Sequence, residues 1–136
     1  MFVDTGPIVA YWVESDQDHD RAVALWTRAF EENRRFATTA MVLTEASLLV
    51  SRCGDPDVAH RMLTAVLTSP RWNVADVPNA ELLEATARVG EPLGGSGLSW
   101  TDAVSFVVIR NAPREPVLTF DRRHFGAEGL AIYGDE

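Results

Sequence analysis

Val117-Leu118-Thr119-Phe120-Asp121 is an apolar run of strand type that ends on a carboxylate. Met1-Phe2-Val3-Asp4 has the same form far earlier in the chain. Short apolar runs without polar alternation suit strands buried on both faces, as in parallel sheets. In such a sheet both acids emerge at the same edge, and ligand sites of α/β folds lie beyond the carboxyl ends of the strands.

The sequence between these runs alternates helical and strand patterns. Gly6-Pro7 punctuates after Asp4, and Pro7 near the first helical position starts a helix through Ile8-Val9-Ala10-Tyr11-Trp12-Val13. Ala22, Val23, Trp26, Ala29 and Phe30 recur at helical spacing, predicting a second helix from His19 to about Asn33. Phe36-Ala37-Thr38 reads as a brief strand, and Thr38 or Thr39 caps a helix with Val42, Ala46, Leu49, Val50 and Cys53 on one side and a stop at Gly54. Asp55-Pro56 starts the next helix, which runs to Pro70. A strand over Trp72-Asn73-Val74-Ala75-Asp76-Val77 follows, then a helix capped by Asn79 and stopped by Gly90. Residues 91–97 read as a flexible Gly-rich stretch, and Ser99 opens an apolar helix from Trp100 to about Arg110. Leu130-Ala131-Ile132-Tyr133 reads as a last edge strand. Such alternation predicts an α/β fold, a mainly parallel sheet with helices on both faces, in one domain over residues 1–136.

The charge sets a problem for any nucleic-acid function. The formal net charge is −8 and the pI about 4.8, whereas phosphate contacts ordinarily come from basic surface. Carboxylates that converge on bound cations remove the objection, because the ions present a positive site to phosphate. All 12 basic side chains are Arg, which either suits bidentate phosphate contacts or reflects coding bias. The single cysteine, Cys53, excludes an intrachain disulfide and is expected to be a small buried side chain. No run approaches the length of a membrane span and Asp4 interrupts any leader-like pattern, so a cytoplasmic location is expected.

Four acids stand out by position. Asp4 and Asp121 follow strands, Glu45 lies among Val42, Leu43, Ala46 and Leu48, and Asp102 sits in the first turn of an apolar helix. Taken singly, each has a structural reading. Asp4 can open a turn, Ser99 and Asp102 can form a capping box, Asp121 can cap a turn toward Phe125, and Glu45 can pair with Arg52. Together at one end of a sheet they would repel strongly without cations, and a carboxylate set selects hard ions, Mg²⁺ or Mn²⁺ over Zn²⁺.

The opening Phe2-Val3-Asp4-Thr5, the segment Thr39-Ala40-Met41-Val42-Leu43-Thr44-Glu45, the segment Leu98-Ser99-Trp100-Thr101-Asp102-Ala103-Val104-Ser105-Phe106 and Leu118-Thr119-Phe120-Asp121-Arg122-Arg123-His124-Phe125 resemble, in order, the four signature blocks of bacterial PIN domains. His19, Arg21-Ala22 and Trp26 resemble the helix after the first block in the VapC-type toxin branch. Gly6 departs from the Ser or Ala common there. The resemblance implies a PIN-like three-layer sandwich in which Asp4, Glu45, Asp102 and Asp121 hold one or two Mg²⁺ or Mn²⁺ ions. It implies an endoribonuclease leaving 5′-phosphate and 3′-hydroxyl ends, a VapB-like antitoxin partner and a homodimer. Thr5 and Thr119 match small polar positions suited to orienting a carboxylate. An orphan or housekeeping PIN nuclease, or a non-catalytic binding module, is the alternative.

Asp4-Thr5-Gly6 also spells the aspartic-protease triplet, but those enzymes are almost all β and the triplet leaves the other three acids without a role. A haloacid-dehalogenase-like phosphatase needs a second Asp where Gly6 stands. Among the neighbours of Asp121, His124 has three readings: surface or structural residue, phosphate contact, or proton donor. Arg122 and Arg123 form the best basic patch beside the site. His19 and His60 read as helix-surface residues, and Trp12, Trp26, Trp72 and Trp100 as core or interface.

Overall fold

The computed structural model describes residues 1–53 and 55–135. The expected helix stop at Gly54 lies outside them. Within them the chain forms seven helices: α1 (Thr5–Trp12), α2 (His19–Glu31), α3 (Ala40–Cys53), α4 (Pro56–Thr68), α5 (Asn79–Thr86), α6 (Trp100–Arg110) and α7 (Arg122–Ala127). The two longest strands are β1 (Phe36–Thr39) and β2 (Trp72–Ala75), paired in parallel. Residues 2–3, 117–118 and 132 extend the sheet through parallel bridges from Phe2 to Ala37, Val3 to Leu118 and Val117 to Ile132.

Backbone bonds carry that extension: Val3 N to Ala37 O at 2.8 Å, Asp4 N to Leu118 O at 3.0 Å and Tyr133 N to Val117 O at 2.9 Å. The spatial order is therefore β2, β1, residues 2–3, residues 117–118, residue 132. The chain moves outward from its first extended segment to β2, then returns to that segment's other side. This reversal is a topological switch point, and it falls between the segments that end at Asp4 and Asp121. Because parallel crossovers are right-handed, the helices on the outward path and the α5–α6 pair on the return path cover opposite faces.

Both faces being covered explains the unbroken apolar runs, since Val3, Val117 and Leu118 are fully buried. Trp26 anchors an aromatic cluster, its ring 4.9 Å from Phe36 and 5.6 Å from Trp72. Its indole N–H donates to Pro7 O at 3.1 Å, satisfying the one polar atom this large side chain buries.

Side-chain caps mark the starts of α3, α4 and α6. Thr39 Oγ1 accepts from Val42 N, Asp55 from Asp57 N and Ser99 from Asp102 N. Four expectations need correction. Pro78, not Asn79, is the N-cap of α5, the Pro ring presetting the extended backbone that precedes the helix. Residues 91–97 are not a loose stretch but an antiparallel hairpin, β3 (Pro92–Leu93) and β4 (Ser96–Gly97), turned by Gly94 and Gly95 at positive φ. Cys53, Leu48 and Leu49 are exposed, because α3 buries only the stripe of Val42, Leu43, Ala46 and Val50. His19 is not a free surface group, its Nδ1 lying 2.7 Å from Ala10 O and tying α2 to α1. His60 is exposed. No helix among the described residues is long and apolar enough to cross a membrane.

Candidate active site

Asp4 stands where the first extended segment turns into α1. It occupies the N-cap position with extended backbone, yet its side chain makes no capping bond. The carboxylate turns across the switch point, where Thr119 Oγ1 donates to Asp4 Oδ2 at 2.8 Å. The same hydroxyl oxygen accepts from Asp121 N at 3.0 Å. One threonine thus joins the ends of two neighbouring segments, a job its β-branched strand propensity alone would not disclose.

Asp4 is only 6% exposed. Burial pushes its pKa up to about 6, the negative charges of Asp102 and Asp121 push the same way, and hydrogen bonds from Thr119 and Thr5 oppose them. Among the described residues, the charged groups acting most strongly on it are both acids, Asp102 and Asp121. Thr5 Oγ1 also donates to Glu45 Oε2 at 3.1 Å, linking α1 to α3. The expected alternative, a Glu45–Arg52 pair, does not occur among the ion pairs of the described residues.

Asp102 lies in the first turn of α6, and its backbone N–H donates to Ser99 Oγ at 3.1 Å. Its capping context and its place among the acids therefore coexist. Burial raises its pKa, Asp121 and Glu45 add repulsion, and Ser99 and His124 pull it down. Asp121 caps α7, one oxygen accepting from both Arg123 N and His124 N at 3.0 Å. The other oxygen, Oδ2, lies 2.9 Å from His124 Nδ1, and Asp102 Oδ2 lies 3.4 Å from the same nitrogen.

His124 corrects the surface reading, since it is 9% exposed. Its Nε2 is 2.8 Å from Ser96 Oγ on the hairpin. Ser96 went unnoticed in the sequence because a Gly-rich stretch carries no periodicity to mark a serine as a site neighbour. The hairpin is pressed onto α7: a Cβ added at Gly94 would lie 2.2 Å from Arg123 O. Arg122 is exposed and paired with Asp135, while Arg123 is exposed and contributes its backbone to the Asp121 cap.

Repulsion links the acids, Asp102 and Asp121 acting on Asp4 and Asp121 and Glu45 acting on Asp102, while His124 lies beside Asp102 and Asp121. A buried carboxylate facing other carboxylates without a positive partner is costly, and a divalent ion relieves that cost. The donor set fits: carboxylate oxygens predominate, and atoms of Asp102, Asp121 and His124 lie within 4.8 Å of one another.

Comparison with known proteins agrees with this architecture. The PIN domain family model matches residues 1–128. A search of curated proteins found no match. Among solved structures, Mycobacterium tuberculosis VapC20, described as a Sarcin-Ricin loop cleaving toxin, superposes with a TM-score of 0.80 at 26% identity. The likeness covers 96% of this chain and 95% of that one. Family match, strand order and acids meeting at the switch point agree: this chain belongs to the PIN-domain family.

Proposed function

We propose that this chain is a metal-dependent endoribonuclease, the toxin of a toxin–antitoxin pair, with Asp4, Glu45, Asp102 and Asp121 as its catalytic and metal-holding residues. The observation that carries the reading is Asp4, a buried carboxylate raised to about 6 by burial and by neighbouring acids, at the switch point of a PIN fold. The similar VapC20 structure, a Sarcin-Ricin loop cleaving toxin by its description, supports RNA as the substrate class.

Bound Mg²⁺ or Mn²⁺ would supply what this acidic chain lacks, positive charge at the phosphate and a lowered pKa for the attacking water. The protein's part is positioning. Thr119 holds the Asp4 carboxylate, Thr5 holds Glu45, Ser99 sets the first turn that carries Asp102, and the α7 amides fix one oxygen of Asp121. Each acid is therefore already oriented to hold an ion that would receive the scissile phosphate, which would lower the entropy cost of reaching the transition state. An RNA loop suits the site because unpaired nucleotides let a single phosphate enter an acidic cleft.

A homodimer and a VapB-like antitoxin partner belong to the same reading. Leu48, Leu67 and Leu83, each more than half exposed, supply apolar surface for such contacts. The test is cleavage of a ribosomal RNA stem-loop with Mg²⁺ or Mn²⁺ against an EDTA control, with analysis of product ends. Metal-dependent internal cuts leaving 5′-phosphates are expected. Cleavage that persists in EDTA, or no cleavage of any looped RNA, would overturn the proposal.

A further inference from the structure

His124 is the one member of the cluster that a carboxylate-only metal centre leaves without a role. Its Nδ1 is buried and makes no hydrogen bond, although oxygens of Asp121 and Asp102 lie 2.9 and 3.4 Å away. Distance is met there but alignment is not. A buried ring nitrogen without a partner is costly and calls for an explanation. We propose that His124 Nδ1 is a metal ligand in this chain, completing with Asp102 and Asp121 a mixed nitrogen–oxygen subsite that favours Mn²⁺ over Mg²⁺. The inference rests on reading the acidic cluster as a metal centre and names one ligand of it.

Two further features fit a metal-bound imidazole. Histidines that bind metal through one ring nitrogen hold the other N–H on a fixed acceptor, which sets the tautomer and the ring plane. Here Ser96 Oγ stands 2.8 Å from Nε2, and a hydroxyl can accept that proton. The hairpin carrying Ser96 is held against α7 by the close approach of Gly94 to Arg123, so the acceptor is positioned by backbone packing. Asp121 shows the complementary asymmetry. Its Oδ1 is taken by two α7 amides, and its Oδ2 is the oxygen beside His124 Nδ1.

The choice of ion follows from the donors. Mg²⁺ prefers oxygen ligands and retains its waters, so an imidazole in the set works against it. Mn²⁺ takes carboxylates as Mg²⁺ does but, as a first-row transition ion, gains more from a nitrogen donor than Mg²⁺ does. Ser96 acts through His124 and is a positioning residue.

The experiment adds Mn²⁺ alone to the full chain and looks for histidine nitrogen modulation by pulsed electron paramagnetic resonance. It is run with ordinary and with isotope-labelled histidine, beside calorimetric affinities for Mn²⁺ and Mg²⁺. Bound Mn²⁺ should show modulation that changes with the label and persists in His60→Gln, an exposed position. His124→Gln should abolish it and cut the Mn²⁺-to-Mg²⁺ affinity ratio about tenfold, and Ser96→Ala should keep the modulation but weaken Mn²⁺ binding. The wild-type measurement stands even where a variant fails to fold. Bound Mn²⁺ without histidine modulation would overturn the ligand, assign His124 to bridging the two carboxylates, and leave the metal centre standing. Failure of Mn²⁺ to bind would overturn the metal centre and this ligand with it.

Discussion

Replacing Asp4 with Asn keeps the side chain's size and its acceptor for the Thr119 hydroxyl while deleting the buried charge. The folded-state pKa of Asp4 is raised from 3.8 to about 6, so the folded protein holds this proton more tightly than the unfolded chain does. Below pH 3.8 the group is neutral in both states and costs nothing. As pH rises toward 6 the unfolded chain ionises first, and metal-free stability falls. At about 1.4 kcal/mol per pH unit, the penalty levels off near 3 kcal/mol above pH 6. Without metal, Asp4→Asn should therefore be more stable than wild type by up to about 3 kcal/mol at pH 7 and nearly equal to it near pH 4. Urea unfolding in EDTA across that range measures the difference directly. Divalent metal should close the gap by stabilising wild type, by about 2.7 kcal/mol at a hundred times the dissociation constant. A difference that does not change with pH, or a variant less stable than wild type at pH 7 in EDTA, would refute the argument from burial and repulsion.

Asp102→Asn and Glu45→Gln should each lower RNA cleavage at least about a hundredfold with little change in circular dichroism, because their carboxylates orient substrate and ion; a cleavage assay at saturating Mn²⁺ checks this. Gly94→Ala should destabilise the protein by more than about 2 kcal/mol in urea, since a Cβ would meet Arg123 O at 2.2 Å and φ is +59°. Gly90→Ala, where φ is also positive but a Cβ meets nothing within 4 Å, should cost only about 1–2 kcal/mol. Light scattering at micromolar concentration should give the mass of two chains, and a single-chain mass would count against the dimer.

The order of α1 to α6 and of the sheet segments was legible because those elements carry local signals, whereas α7 read only as a turn after Asp121 and the β3–β4 hairpin as a loose stretch. Ser99 before Trp100 and Asp55-Pro56 before α4 satisfy orphan N–H groups with neighbours in sequence, so the sequence alone marks where those helices begin. The acids were legible for a related reason: a carboxylate directly after an apolar strand, or inside an apolar helix, is conspicuous by its cost. Pro78 displacing Asn79 as a cap is a shift within the ordinary blur of helix ends.

What composition and periodicity left open depends on distances between segments remote in sequence. That the chain reverses direction beside residues 2–3 comes from hydrogen bonds between Asp4 and Leu118 and between Val3 and Ala37. The Thr119 hydroxyl shared by Asp4 and Asp121, the pairing of Ser96 with His124, and the exposure of Leu48 and Cys53 are of the same kind. The sequence by itself determined which residues are apolar, where helices begin and which acids are out of place, because those are costs each segment meets with its own neighbours. Only the tertiary structure decided that these acids repel one another and that a histidine nitrogen lies between two of them without a hydrogen bond, because electrostatic and hydrogen-bond energies depend on separation in space.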